Sequence, residues 1–180
     1  MVRLSSQFPG RDIRLKRLAG KIEALAGKDE KQLRRAREIM ELRRNAAGAL
    51  HRVCSAFVDS LNRLMETSRI SMEPAEFSAT TFRSDVPNLI QIGVRGRILQ
   101  VTFEATPELV STEDFRIPYT LAGAVRAFNQ ELPDKDLIEE QLIFYTLEKQ
   151  GNQWRFFDAR TYHSGPFDQD YLVALMEQLV

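Results

Sequence analysis

The chain has little cysteine, little histidine and no long apolar run, and each scarcity excludes a class of protein. Cys54 is the only cysteine among 180 residues. No disulfide can form within one chain, which excludes a small secreted fold held together by disulfides. No run of 18 apolar residues occurs, so the sequence predicts no membrane-spanning helix. The N-terminus also lacks the apolar stretch of a secretory signal, and we expect a cytoplasmic protein.

Catalytic signatures are missing as well. The sequence contains no GxSxG elbow, HExxH pair, P-loop, CxxC pair or GxGxxG loop. His51 and His163 are the only histidines, too few to build a metal site without many carboxylates. We therefore expect no metal and no cofactor, and a non-enzymatic role is favoured over an enzymatic one.

Charge is balanced in total but divided along the chain. Residues 1–70 carry 16 basic and 8 acidic side chains, whereas residues 71–180 carry 9 and 17. The basic part thus has a net charge of +8 and the acidic part −8. Such polarity indicates a preferred orientation toward a charged partner, which could be the chain's own acidic half.

The first third of the chain has helical periodicity. Leu15, Leu18, Ile22 and Leu25 recur at spacings of three and four, which predicts one apolar helix face. Gly27 is suited to end this helix, and the sequence favours a helical hairpin whose second, long helix spans Glu30 to about Arg69. The alternative is one uninterrupted helix, at a cost of about 1 kcal/mol for the glycine. We expect a basic helical segment over residues 1–72.

After Pro74 the apolar residues alternate, which is typical of β-strands. Residues 73–180 therefore predict an antiparallel meander of five to six strands and a C-terminal helix packed on the sheet, giving an α+β fold that forms one domain with the helices. A loop is expected from Thr106 to Phe115, a turn at Leu132–Lys135, and a break at Ser164–Phe167 before Asp168 caps the last helix. The strands are expected at Phe77–Arg83, Asn88–Val94, Ile98–Ala105, Ile117–Gln130, Glu140–Lys149 and Trp154–Tyr162.

The long helix has a broad apolar arc that includes Leu50, Cys54 and Phe57. Arg43 projects within this arc, so its side chain either reaches the edge or pairs with a buried acid.

Two clusters carry reactive groups. His51 and Cys54 lie three residues apart on the long helix, and the place of Cys54 in the apolar arc favours core packing over catalysis or metal binding. Asp158, Arg160 and Tyr162 would share one face of a strand, with Thr161 and His163 on the other. This row could line a pocket for an anionic ligand, and His163 would be the best candidate for a general base.

The basic helix is the most informative feature. An amphipathic helix with a basic edge can contact an acidic protein surface, nucleic acid or an anionic membrane, of which the membrane is the least favoured. The predicted interaction surface comprises Arg14, Arg17, Lys21, Lys28, Arg34 and Arg37.

Three functions remain open. The first is a protein-interaction or assembly module, homodimeric through its long helices or bound to an acidic protein. The second is a ligand-binding or cryptic enzymatic domain with a pocket between sheet and helices, at whose mouth the Asp158–His163 row would lie. The third is a nucleic-acid accessory protein that uses the basic helices.

Overall fold

The structure, a computed structural model, describes residues 9–78, 80–110 and 116–180. It confirms the α+β class, with a long N-terminal helix, an antiparallel sheet and a C-terminal helix. Within the described residues the sheet has eight strands, more than the five to six predicted. The elements are α1 (Pro9–Leu64), β1 (Ser71–Glu73), β2 (Asn88–Val94), β3 (Arg97–Val110), β4 (Tyr119–Asn129), β5 (Leu132–Asp136), β6 (Gln141–Thr146), β7 (Gln153–Asp158), β8 (His163–Pro166) and α2 (Gln169–Leu179).

Helix α1 is a single element of 56 residues, so the predicted helical hairpin is replaced by the uninterrupted alternative. Proline is tolerated in the first turn, where its missing N–H would have no partner anyway. Gly27 lies inside the helix, and a Cβ atom there would meet nothing within 4 Å. The glycine therefore costs only intrinsic propensity, and the surrounding alanine, lysine and glutamate residues are good helix formers.

The chain divides into two compact units, Met1–Glu41 and Leu42–Val180. In the first unit the structure describes only helix, and every residue from Gly10 to Ile39 is exposed. The second unit contains the rest of α1, the whole sheet and α2.

The sheet of the second unit is a meander. Its strand order is β1-β2-β3-β4-β6-β7-β8, and β5 pairs with β4 beside this path. At the centre, Phe103 on β3 lies opposite Gly123 on β4. A Cβ atom at Gly123 would overlap the backbone of Thr102, so this close approach of the two strands requires glycine.

One face of the sheet forms the main core with α1 and α2. Leu50, Cys54 and Phe57 of α1 are buried. On α2, the Tyr171 ring stacks on Phe156 of β7 with centroids 4.3 Å apart. Asp168 caps α2 as predicted, its side chain accepting a hydrogen bond from the Tyr171 N–H. The sheet contributes alternating buried residues to this core: Ile90, Ile92, Leu99, Val101, Phe103, Leu121, Val125, Ile143, Tyr145 and Trp154.

The opposite face carries a smaller apolar cluster. Tyr119, Phe144 and Phe157 are buried there, with Ile117 and Leu142 packed against them. Strand β6 is thus covered on both faces, and the run Leu142–Tyr145, which is apolar at alternate and intervening positions alike, is typical of such a strand.

Several strand boundaries differ from the prediction. Phe77–Arg83 is not a strand in its described residues, and the first strand is β1, which pairs with β2. Most of the predicted turn Leu132–Lys135 belongs to β5, and most of the predicted break Ser164–Phe167 belongs to β8. Each segment forms a strand because it pairs with a neighbour, β5 with β4 and β8 with β7. Strand β3 extends to Val110, into the predicted loop, and the rest of that loop, 111–115, lies outside the described residues, as do residues 1–8.

The two outermost strands are short. Strand β1 has three residues and is followed by Pro74, joined to Glu73 by a cis peptide bond. Strand β8 has four residues and ends at Pro166. Proline cannot donate a ladder hydrogen bond, so β1 and β8 offer few backbone groups with which another strand could pair.

Candidate interaction surface

An exposed row of aliphatic side chains runs along the first unit. We name Leu15, Leu18, Ile22 and Leu25 the apolar stripe. Each residue advances an α-helix by about 100°, so spacings of three, four and three keep these four side chains on one face. They are between 52% and 57% exposed. Contiguous exposed aliphatic residues on a helix are typical of an interaction site.

The second unit shows what the same helical pattern does when it is covered. Leu50 and Cys54 continue the three- and four-residue periodicity of α1 and are fully buried by the sheet. The apolar face of α1 is therefore buried in the second unit, whereas in the first unit its aliphatic side chains remain in solvent. The sequence predicts that face of the helix but not its exposure, because a hairpin would have covered the stripe.

A row of basic side chains follows one edge of the apolar stripe. Arg14, Lys21 and Lys28 recur every seven residues, which places them on one line of the helix, and Arg17 lies farther from the stripe. Arg34 and Arg37 are also exposed but lie on the other side of the helix circumference. The Nη2 atom of Arg34 lies 3.8 Å from Oε1 of Glu30, in an exposed ion pair. The predicted basic surface is thus divided, and we name Arg14, Lys21 and Lys28 the basic edge.

The predicted ligand-binding row lies at the turn between β7 and β8. Oδ1 of Asp158 accepts hydrogen bonds from the backbone N–H groups of Arg160, at 2.9 Å, and Thr161, at 3.3 Å. Partial desolvation raises the pKa of the Asp158 carboxyl, but these hydrogen bonds and the Arg160 charge outweigh it and leave the pKa lowered. The carboxylate therefore organises the turn, and the Arg160 side chain is exposed.

The rings of Tyr162 and His163 lie on different faces of the sheet. Tyr162 adopts φ 58°, in the left-handed region, which ends the strand alternation assumed from the sequence. Its ring lies 6.0 Å from that of Phe157. The His163 ring lies 5.5 Å from that of Phe156, on the face that α2 covers. The four predicted residues share a turn but not a face, and their role in ligand binding stays a prediction.

His51 and Cys54 are packed into the protein. His51 is buried, and its Nε2 lies 2.8 Å from the carbonyl oxygen of Pro74. Burial raises the pKa of the Cys54 thiol to about 12, although its backbone hydrogen bond lowers it somewhat. A thiol with that pKa stays protonated at neutral pH and is a poor nucleophile or metal ligand. The geometry supports a role for both residues in the core.

A small cavity of about 160 Å³ lies between α1, the sheet and the segment that links β1 to β2. It borders His51, Phe77 and Phe103. Asn88, also at its wall, is used to hold the segment in place: its Nδ2 donates to the Arg83 carbonyl at 2.7 Å, and its Oδ1 accepts from the Arg83 N–H at 2.9 Å. The cavity therefore offers mainly aromatic and aliphatic surface.

Arg43, a charged residue within the apolar arc of α1, finds neutral partners. Its Nε donates to Oγ1 of Thr120 at 2.8 Å, and its Nη2 donates to the carbonyl oxygen of Thr106. The sequence predicts that this side chain reaches solvent or pairs with a buried acid. In the structure it is half-buried, and its hydrogen bonds go to neutral groups of β3 and β4 in place of an acid. Burial lowers the pKa of Arg43, but the guanidinium remains charged at neutral pH.

Within the described ranges, no three histidine, cysteine or acidic residues are grouped so that they could hold a metal ion. None of the helices in the described part of the chain is long and apolar enough to cross a membrane.

Comparisons with protein-family models, with curated proteins and with solved structures each found no significant match to this chain.

Proposed function

We propose that the protein is an assembly module that self-associates through the apolar stripe of α1. One observation carries the proposal: four aliphatic side chains, Leu15, Leu18, Ile22 and Leu25, are aligned on one helix face and remain more than half exposed. A helix in water draws most of its stability from packing of its apolar face. A second copy of the same helix supplies a matching apolar face, so no other partner is needed to cover the stripe.

The expected association is concentration-dependent. Burial of a partly exposed leucine or isoleucine contributes about 1 kcal/mol at ~25 cal/mol per Å² of apolar surface. Two copies bring eight such side chains together, for a gross gain of about 8 kcal/mol. Association itself costs about 4–15 kcal/mol in lost freedom, so the stripe alone supports at most a weak, reversible dimer, at the low end of that cost.

Other functions have less support. Nucleic-acid binding through the basic edge would leave the aliphatic residues unexplained, since phosphate contacts need only the cations. Ligand binding in the small cavity would use a space of which two polar wall residues, Asn88 and His51, already have hydrogen-bond partners in the adjoining segment.

Analytical ultracentrifugation of the full chain across a wide concentration range tests the proposal. The wild-type chain is expected to pass from monomer to dimer as concentration rises, and Leu18→Glu is expected to remain monomeric. Ile13→Glu is the matched control, because Ile13 is also an exposed aliphatic residue of α1 but lies off the stripe. It should dimerise like the wild type. A wild-type chain that stays monomeric throughout, or equal loss in both variants, would overturn the proposal.

A further inference from the structure

The four residues of the apolar stripe are symmetric about Gly20, and Leu33, an exposed leucine farther along the same face, lies outside the symmetric part. Leu18 and Ile22 lie two residues on either side of this glycine, and Leu15 and Leu25 lie five residues on either side. Two charged residues extend the symmetry: Arg11 precedes Gly20 by nine residues and Asp29 follows it by nine. Arg11 and Asp29 are thus 18 residues apart, which is five full turns of an α-helix. Both charges consequently lie on the same line of the helix as the stripe.

We infer that two copies of α1 pair antiparallel, with the two-fold axis at the level of Gly20. This inference rests on the proposed self-association and adds its geometry. In this arrangement Leu15 packs against the partner's Leu25, and Leu18 packs against the partner's Ile22. Arg11 meets the partner's Asp29, and the two-fold axis generates a second such pair. The interface is self-complementary, as a two-fold interface requires.

Within the seam, the charges of Arg11 and Asp29 disfavour a parallel arrangement. It would place Arg11 against the partner's Arg11 and Asp29 against the partner's Asp29, so that both ends of the stripe would bring like charges together within the seam. Like charges at an interface cost free energy, and opposite charges mainly fix the register. A guanidinium has five donors, so Arg11 can serve the partner's Asp29 along with an acceptor of its own chain.

The basic edge has a consequence for salt dependence. About the axis at Gly20, Lys21 faces the partner's Lys21, and Arg14 faces the partner's Lys28, so the antiparallel arrangement also brings like charges together, at its exposed edge and not within the seam. These side chains are exposed, and their flexible stems let the charges separate. Added salt screens this repulsion. The antiparallel dimer is therefore expected to keep or gain affinity as salt rises, whereas a complex with a polyanion would lose it.

Chemical cross-linking of the full-length chain tests the orientation. Ala19 and Ala26 are exposed on the edge of the stripe opposite the basic edge. About an axis at Gly20, two copies of residue 19 lie about 3 Å apart along the helices and two copies of residue 26 about 18 Å apart. Ala19→Cys should therefore cross-link rapidly with a short bis-maleimide, and Ala26→Cys slowly. The native Cys54 is buried and does not interfere.

Each other outcome overturns the inference. Equal rates for the two variants indicate parallel helices, because residues at corresponding positions then lie at the same level. Faster reaction of Ala26→Cys indicates an axis displaced toward Asp29. If the wild type dimerises and either pattern is found, the orientation is wrong but the self-association stands. If the wild type is monomeric, both are wrong.

Charge reversal gives an independent measurement. In the antiparallel dimer Arg11→Asp places two carboxylates together at each end, and Asp29→Arg places two cations together. Each single variant should weaken the dimer about fivefold. The double variant Arg11→Asp/Asp29→Arg restores opposite charges and should regain wild-type affinity. Unchanged affinity in both single variants, as a parallel dimer requires, would contradict the inference.

Discussion

The indole N–H of Trp154 donates a 2.8 Å hydrogen bond to the main-chain carbonyl of Ala46, a residue 108 positions earlier in the chain. The bond is buried and joins strand β7 to helix α1. An α-helix carbonyl normally accepts from within the helix, so the indole adds a second, directional contact to its oxygen. The contact fixes where β7 lies along the axis of α1 and how far β7 is from that helix.

Loss of this hydrogen bond should be measurable as stability. Trp154→Phe keeps an aromatic ring but removes the donor, and we expect the free energy of unfolding to fall by about 1–3 kcal/mol. Urea unfolding followed by circular dichroism measures the change. Tyr162→Phe is the control, because Tyr162 is 65% exposed and its loss of a hydroxyl should change stability by less than about 0.5 kcal/mol. Similar losses in the two variants would contradict the structural role of the indole.

Two leucines of α1 should separate stability from assembly. Leu50 is fully buried, so Leu50→Ala should lower the free energy of unfolding by about 2–5 kcal/mol, since it leaves a cavity in the core. Leu18 is half exposed, so Leu18→Ala should leave monomer stability nearly unchanged and weaken self-association. Urea unfolding at low concentration and ultracentrifugation at high concentration measure the two effects. A large stability loss for Leu18→Ala would show that the stripe is covered within one chain.

Two glycines should respond oppositely to alanine. Gly123→Ala would press a methyl group into the backbone of Thr102 and force β3 and β4 apart. We expect a loss above about 3 kcal/mol or an insoluble chain. Gly27→Ala adds a methyl group in open space within a helix and should stabilise α1 by about 1 kcal/mol. Thermal unfolding followed at 222 nm compares the two, and a tolerated Gly123→Ala would show that the strands are not in contact there.

The buried thiol predicts a loss of stability in alkali. Folding raises the pKa of Cys54 from 9.0 to about 12, and an unfolded chain has a value near the lower end, about 8.5–9. The unfolded state therefore loses the thiol proton first, and the stability contributed by the protonated thiol is present below pH 8.5 and lost as pH rises toward 12. At pH 10 the loss should be about 1–2 kcal/mol.

Comparison with Cys54→Ala isolates this effect from the titration of lysine and tyrosine. The difference in unfolding free energy between wild type and variant should shrink between pH 8 and pH 10. The native thiol should also resist a thiol reagent at pH 8 until the protein is unfolded. Rapid labelling of folded protein, or a difference that does not change with pH, would contradict the burial of Cys54.

Side-chain periodicity is sufficient to predict much of the fold. The spacing of Leu50, Cys54 and Phe57 predicts a buried helix face, and the unbroken apolar run in β6 predicts a strand covered on both sides. The hairpin prediction is wrong because Gly27 satisfies the local rules for a helix end, while continuation of the helix costs only about 1 kcal/mol. Local sequence cannot decide between alternatives so close in free energy.

The site residues are harder to predict than the fold. The Asp158–Tyr162 row assumes a strand, but the carboxylate of Asp158 instead accepts backbone hydrogen bonds and closes a turn. The positive φ of Tyr162 then reverses the face that follows. Exposure of the apolar stripe is likewise not encoded locally, because the same leucine spacing occurs in a buried helix and in a bare one.

The brief outer strands, each next to a proline, restrict how this protein can accumulate. A sheet grows in fibrils by recruiting extended segments onto a long, unblocked margin. Here the outermost strands have three and four residues, so each gives an incoming segment little to pair with, whereas β3 continues past β2 as far as Val110. If the protein self-associates as proposed, we expect crowding to favour reversible contacts between helices over growth of the sheet at these two strands.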